Sequence, residues 1–197
     1  MKNINFNLLP LSHSLFLVSK SPRRKQLLEA MGFNFKILYT DVEETYPEHL
    51  TPVEIAEYLS QLKLSPINFS EYSKNALFIS CDTIVVLDGV ILGKPKTASE
   101  ATAMLQQLSG KIHQVISGVT VATKEKTITK HSITDVTFKV LLAEEIDYYV
   151  TNYKPFDKAG AYGIQEWIGL IGVTSIHGCF YNVMGLPTQK VREMLGY

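Results

Sequence analysis

Cysteine is scarce in this chain of 197 residues, with Cys81 and Cys179 the whole supply. The two fit no metal or redox spacing, and so few thiols argue against a disulfide scaffold, so both are expected as reduced side chains. An excess of charge is missing as well. Lys plus Arg (19) balances Asp plus Glu (19), which leaves no overall basic field to hold nucleic acid. Balance does not forbid clustering, so a local cationic site remains open. No apolar run approaches the ~20 residues of a membrane span. The N-terminal apolar stretch is broken by Pro10, Ser12, His13 and Ser14 and has no small-residue cleavage site, so no signal peptide is read. Cytoplasm is therefore the expected compartment. Asn68-Phe69-Ser70 matches a glycosylation sequon, which without secretion is a chance match.

Familiar catalytic motifs are absent too. A phosphate-binding P-loop ending at Gly110-Lys111 would need Gly at 105, where Leu stands, and Ser or Thr at 112, where Ile stands. There is no Gly-x-Ser-x-Gly elbow and no cysteine with a partnered histidine. The histidines at 13, 49, 113, 131 and 177 have no metal-ligand spacing, and His113, in an alternating segment, is expected to be structural.

What is present is an ordinary globular composition, 46% hydrophobic, of a length that suits one domain or two closely joined lobes. No repeat, low-complexity tract or linker divides it. Residues 15–18 read as a short buried strand, after which Ser21 offers an N-cap and Pro22 the first helical position. Leu27, Leu28 and Met31 follow at helical spacing and Gly32 closes the helix. Residues 33–39 read as a second strand. Thr51 with Glu54 forms a capping box for a helix to about Leu64. An apolar strand over 76–81 is expected to end at Asp82, and 85–92 folds back through Asp88-Gly89. Thr97 with Glu100 forms another capping box, for a helix ending near Ser109-Gly110. Segments 112–123 and 127–141 read as antiparallel partners, 144–153 as a helix stopped by Lys154-Pro155, 157–185 as Gly-rich loops and short strands, and Pro187 as the start of a last helix. The expected class is α/β with a mixed sheet.

Chemistry gathers first between the opening strand and helix. Ser19, Ser21, Arg23 and Arg24 lie where a helix N-terminus presents unpaired N–H groups and its positive dipole end, an arrangement suited to phosphate. Alone, the segment reads equally well as a capped surface helix. Acids come next. Asp82 abuts an apolar strand, where an unpaired carboxylate is costly, and Glu43 and Glu44 follow another strand. An Asp and a Glu converging with substrate phosphates commonly hold Mg²⁺, and such a carboxylate can take a proton from attacking water. Lys63, Lys94 and Lys158 are the remaining candidate phosphate contacts. Lys158 opens a run of small residues, 159–163, that would let a ligand approach the backbone.

Taken together, these segments resemble the Maf nucleoside triphosphate pyrophosphatases along nearly the whole chain. The resemblance rests on Ser19-Lys20-Ser21-Pro22-Arg23-Arg24, Val42-Glu43-Glu44, Lys63, Asp82-Thr83-Ile84-Val85, Gly93-Lys94-Pro95, Leu108 to Lys111, His113 and Val115, Thr134 to Phe138, Asp157 to Gln165, and Val183 to Pro187. It implies an elongated α/β fold with a central cleft, similar to the inosine triphosphatase type, and cleavage between the α and β phosphates with a divalent cation, Mg²⁺ or Mn²⁺. By position, it implies that Asp82 activates water and that Ser19, Arg24, Lys63 and Lys94 contact the triphosphate. Glu44 becomes a metal-side acid together with Asp82. Arg23, Thr83 and Gln165 sit where subgroups differ in base preference, and here they resemble the subgroup acting on dTTP and UTP.

Three positions depart from that pattern. Lys20 adds a positive charge where a small or polar residue is usual. Leu62 replaces the usual acid before Lys63. Glu166-Trp167 replaces a glycine-rich continuation, a change at the pocket rim expected to bear on base choice. The expected partner is a nucleoside triphosphate, with neither nucleic acid nor membrane, and a homodimer is open. The competing readings are a 7-methyl-GTP pyrophosphatase and a non-catalytic nucleotide-binding regulator of cell division.

Overall fold

A computed structural model describes residues 13–196 of the chain. The reading that no signal peptide is present rests in part on residues 1–12, outside the described residues. In chain order the elements are β1 (Ser14–Val18), α1 (Pro22–Ala30), β2 (Phe35–Leu38), α2 (Pro52–Leu62), β3 (Ala76–Leu87), β4 (Val90–Leu92), α3 (Ala98–Leu108), β5 (Ile112–Ala122), β6 (Thr127–Phe138), α4 (Ala143–Tyr153), α5 (Trp167–Gly172), β7 (Val173–His177), α6 (Phe180–Met184) and α7 (Thr188–Met194). The strands form a seven-stranded sheet in the order β2-β1-β3-β5-β6-β7, with β4 paired to β3. β1 runs parallel to both β2 and β3, whereas β4 is antiparallel to β3 and β7 to β6. The expected α/β class with a mixed sheet and helices is what the chain adopts.

Local signals explain the element ends. Ser21 caps α1, accepting the Arg24 amide at 3.5 Å, with Pro22 at the first helical position. Thr51 and Glu54 make the reciprocal capping box of α2. Thr97 caps α3 as expected, but the Glu100 carboxylate accepts from the Lys96 amide at 2.6 Å, one residue outside the usual box. Asp88 and Gly89 both take positive φ, 51° and 81°, which a two-residue turn between β3 and β4 requires.

Two expectations are corrected. β3 does not end at Asp82 but continues to Leu87, so Asp82 lies mid-strand in a strand with neighbours on both sides. Residues 157–185 contain helices α5 and α6 where loops and short strands were expected.

The chain divides into two compact units. The first takes Met1–Asp82, Gly118–His131 and Gly185–Tyr197, the second Thr83–Ser117 and Ser132–Met184. In the first, Phe16, Val18, Leu64, Ala76, Phe78 and Ala122 form a core, and Phe16 stacks on Phe78 with centroids 5.0 Å apart. α2 presses so closely on β5 that a Cβ at Gly118 would overlap the Ala56 carbonyl. In the second, Leu105, Val136, Phe138, Tyr149 and Ile168 belong to a larger core. Helical burial of apolar stripes against strands supplies the driving force in both.

Candidate active site

The site in the first unit grows from the end of α2. Lys63 is the C-cap residue of that helix, so its position follows from the capping box at Thr51 and the packing of α2 on Gly118. Buried hydroxyls add to the hold. Ser60 meets Thr120 at 2.7 Å, and the Ser80 hydroxyl donates to the Ser60 carbonyl at 2.5 Å. From there the Lys63 ammonium reaches three acceptors: the Asp82 carboxylate, Glu44 Oε1 at 3.2 Å and the Cys81 carbonyl at 3.4 Å. An ammonium has three protons, and this arrangement can use each of them. The Asp82 and Lys63 side chains are only 10% and 13% exposed, so the pair is nearly dry, while Glu44 is 45% exposed at the rim. Asp82 is tolerated inside an apolar strand because Lys63 meets it there.

Glu44 supplies a second carboxylate to Lys63 in a chain that carries Leu at 62. Asp82 and Glu44 both point at one positive group, so their oxygens converge on a position that accepts a cation. Two carboxylates are a donor set that would suit a divalent cation such as Mg²⁺, with phosphate oxygens and water completing the shell. Among the described residues, no group of three or more His, Cys, Asp and Glu side chains is arranged to hold a metal.

The β1–α1 segment belongs to the same unit. Buried Ser19 accepts the Ser21 amide at 3.1 Å, which turns its hydroxyl toward the start of α1. Arg24 Nε donates to the Gly185 carbonyl at 2.8 Å, and Cys81 Sγ also approaches that oxygen at 3.4 Å. The Arg24 guanidinium is therefore oriented by backbone that leads into α7. Arg23, half-buried, follows Pro22 on the first turn. Lys20, the departure from the family pattern, pairs with Asp41 at 2.9 Å and holds that carboxyl below its usual range through the hydrogen bond and the lysine charge.

Lys94, Thr83 and Gln165 lie in the second unit. Lys94 and Gln165 are exposed, and the carbonyl of Gly93, beside Lys94, accepts the Gly160 amide at 3.1 Å. The Thr83 hydroxyl meets Ser117 Oγ at 2.8 Å, and Ser117 donates to the Asn182 carbonyl at 3.5 Å. Asn182 is fully buried. Its amide donates to the Val115 carbonyl, the Ser132 carbonyl and Thr134 Oγ1 at 3.0, 3.3 and 3.0 Å. Sequence reasoning passed over Asn182, whose only local signal is a polar residue between Tyr181 and Val183.

Lys158, a candidate phosphate contact, lies in the second unit. Its buried ammonium is engaged by Asp157 at 2.8 Å and Glu166 at 3.0 Å. His113 is structural, as expected. It is 1% exposed, its Nε2 meets the Tyr162 hydroxyl at 2.7 Å, and burial pulls its pKa down to about 4.

Known proteins resemble the chain over nearly its whole length. A family profile described as "Maf-like protein" matches residues 14–197. A protein of Flavobacterium psychrophilum named "dTTP/UTP pyrophosphatase" is 49% identical over 177 residues, covering 90% of each chain. Proteins of the same name from Cytophaga hutchinsonii and Bacteroides thetaiotaomicron are also 49% identical, covering 92% and 91% of this chain and 82% and 93% of theirs. With a profile match over nearly all its length and relatives at this identity, the chain belongs to the family of Maf-like proteins.

Proposed function

We propose that the protein hydrolyses nucleoside triphosphates to monophosphate and pyrophosphate, with dTTP, UTP and modified pyrimidine nucleotides as substrates. The substrate class follows from relatives of that name at 49% identity over most of both chains. The observation that carries the chemistry is a dry carboxylate, Asp82, held in mid-strand by Lys63 and facing the same group as Glu44.

In this reading a water oxygen attacks the α-phosphorus, and the bond from that phosphorus to the bridging oxygen breaks. Pyrophosphate leaves, and the water proton passes to Asp82, a transfer worth ~10²–10⁴-fold. Ser19 and Arg24 bind phosphate oxygens, and Lys63 balances charge beside Asp82. From the second unit, the resemblance assigns Lys94 to phosphate, and Thr83 and Gln165 to base choice together with Arg23. Asp82 and Glu44 would hold the divalent cation. When bound, it supplies charge neutralisation and polarisation of the phosphoryl group. Stabilising charge that develops on phosphate oxygens is the larger part of the work. No helix among the described residues is long and apolar enough to cross a membrane.

The test is pyrophosphate release from the common ribo- and deoxyribonucleoside triphosphates and from 7-methyl-GTP, with Mg²⁺ or Mn²⁺. Turnover of dTTP and UTP is expected. Turnover confined to 7-methyl-GTP would overturn the pyrimidine assignment, and binding without release under either metal would favour a regulator.

A further inference from the structure

The carboxylate of Glu166, one residue after Gln165, is engaged inside the second unit. Its Oε2 accepts the hydroxyl of Tyr149, and its Oε1 lies 3.0 Å from Lys158 Nζ. The Tyr149 oxygen in turn accepts the backbone N–H of Gly163 at 3.0 Å. A continuous chain of bonds therefore runs from Lys158 through Glu166 and Tyr149 to Gly163. It grips the backbone on both sides of Gln165, two residues before it and one after.

The two partners of Glu166 are dry, while its own side chain is 21% exposed. Tyr149 is fully buried in α4, and Lys158 is 8% exposed. Burial, with the Glu166 carboxylate adding to it, raises the Tyr149 phenol well above its usual range, so the hydroxyl stays protonated and keeps donating. Gly163 has to be bare for the carboxylate to sit where it does. A Cβ there would come 2.9 Å from Glu166 Cδ and 3.0 Å from Lys158 Cε. Just upstream, Gly160 and Ala161 both hold positive φ, 67° and 59°. For the alanine this conformation is costly and persists only where neighbours impose it.

Burying an ion pair with a phenol is a poor way to gain stability, because desolvation offsets most of the attraction. Its effect is geometric. The segment 160–165 has no strand or α-helix of its own to set the direction of Gln165, so the bonds that bracket it must do so. Trp167 begins α5 immediately after Glu166, which is that helix's N-cap residue with no side-chain cap bond. The Glu166 carboxylate thus does not cap its own helix and turns to Tyr149 and Lys158 instead.

We propose that Glu166 is a positioning residue for base choice, acting with Tyr149 and Lys158 to hold the Gly163–Gln165 backbone so that Gln165 meets the pyrimidine. The proposal rests on the reading of Gln165 as a base-selecting side chain. It assigns the departure at 166 a role in orienting Gln165, distinct from phosphate binding and from the chemical step.

The test compares Glu166→Gln, Tyr149→Phe, Gln165→Ala and the Gln165→Ala/Glu166→Gln double variant. For each, kcat and KM are measured on dTTP, UTP and GTP, and the amide exchange of Gly163 is read by NMR. In Glu166→Gln and Tyr149→Phe, KM for dTTP and UTP is expected to rise about tenfold with kcat within about twofold, which narrows the preference over GTP. The double variant should add nothing to Gln165→Ala, since both act through one contact. The Gly163 amide should exchange faster in both single variants while α4 stays protected. Unchanged pyrimidine KM in both single variants overturns the proposal. So does a uniform fall of kcat on every nucleotide, or full additivity in the double variant. If the wild-type protein releases pyrophosphate from no nucleotide, the functional reading and the base-choice role fail together. Exchange at Gly163 then still upholds or overturns the positional part.

Discussion

Lys63 and Asp82 form a nearly dry ion pair between the end of α2 and the middle of β3, with side chains 13% and 10% exposed. Each explains the other. Without the lysine, the carboxylate would be an uncompensated charge inside an apolar strand, and without the carboxylate the lysine would be drawn toward Glu44 at the rim.

Asp82→Asn keeps the size of the side chain and one acceptor for Lys63, so the fold should persist. Turnover is expected to fall ~10²-fold or more if Asp82 takes the proton from water. Pyrophosphate release together with a thermal melt decides it, and near wild-type turnover would remove Asp82 from the chemistry.

Lys63→Met keeps an apolar stem and removes the charge. Leaving one partner of a buried pair alone is destabilising by about 3 kcal/mol, seen as a Tm lower by several degrees. The sharper measurement is the double-mutant cycle with Asp82→Asn. The double variant should recover part of the loss, and strictly additive losses would show that the two groups are not coupled.

Gly118→Ala tests how the helix is seated. The new methyl would overlap the Ala56 carbonyl and lie 2.6 Å from the Glu57 nitrogen, both backbone atoms of α2. Overpacking of this kind costs about 1–3 kcal/mol. Because α2 carries Lys63, kcat/KM should fall along with Tm. A variant with unchanged Tm would mean that α2 rides more loosely on β5 than the structure has it.

His113 gives stability a pH dependence. Its folded pKa of about 4 lies below the unfolded value of 6.5 because burial disfavours the charged ring. Between those values the unfolded chain binds a proton that the folded chain does not, so stability falls as pH drops from 6.5 to about 4. Below that both states are protonated and this contribution stops changing. The size is about 3 kcal/mol in order of magnitude. Urea unfolding across this range should show the slope, and His113→Gln should flatten it. Glu54, Glu145 and Glu193, whose pKa values are lowered from 4.5, act only below that value and so leave the upper part of the window to His113. A slope between pH 5.5 and 6.5 that survives the substitution would assign it elsewhere.

Much of the scaffold around the candidate site was legible because its signals are local. Ser21 with Pro22, Thr51 with Glu54, and Asp88-Gly89 act within one turn of chain, and the structure uses each as read. The departures have a common cause. Asp82 looked like a strand end because an acid interrupts an apolar run. The strand continues because Lys63, nineteen residues earlier in the chain, neutralises that acid in space. Helices α5 and α6 were hidden by glycine-rich sequence, and Gly169 in α5 serves close packing, since a Cβ there would collide with the Ile164 carbonyl.

The sequence alone determined the α/β class, because periodicity and caps are written in neighbouring positions, and its motifs carried the resemblance to the family. Tertiary structure decided the pairings: Lys63 to Asp82 and Glu44, Arg24 to Gly185, and Lys158 to Glu166. Those pairings depend on which charges are buried together, and burial is a property of packed elements that no stretch of chain possesses by itself.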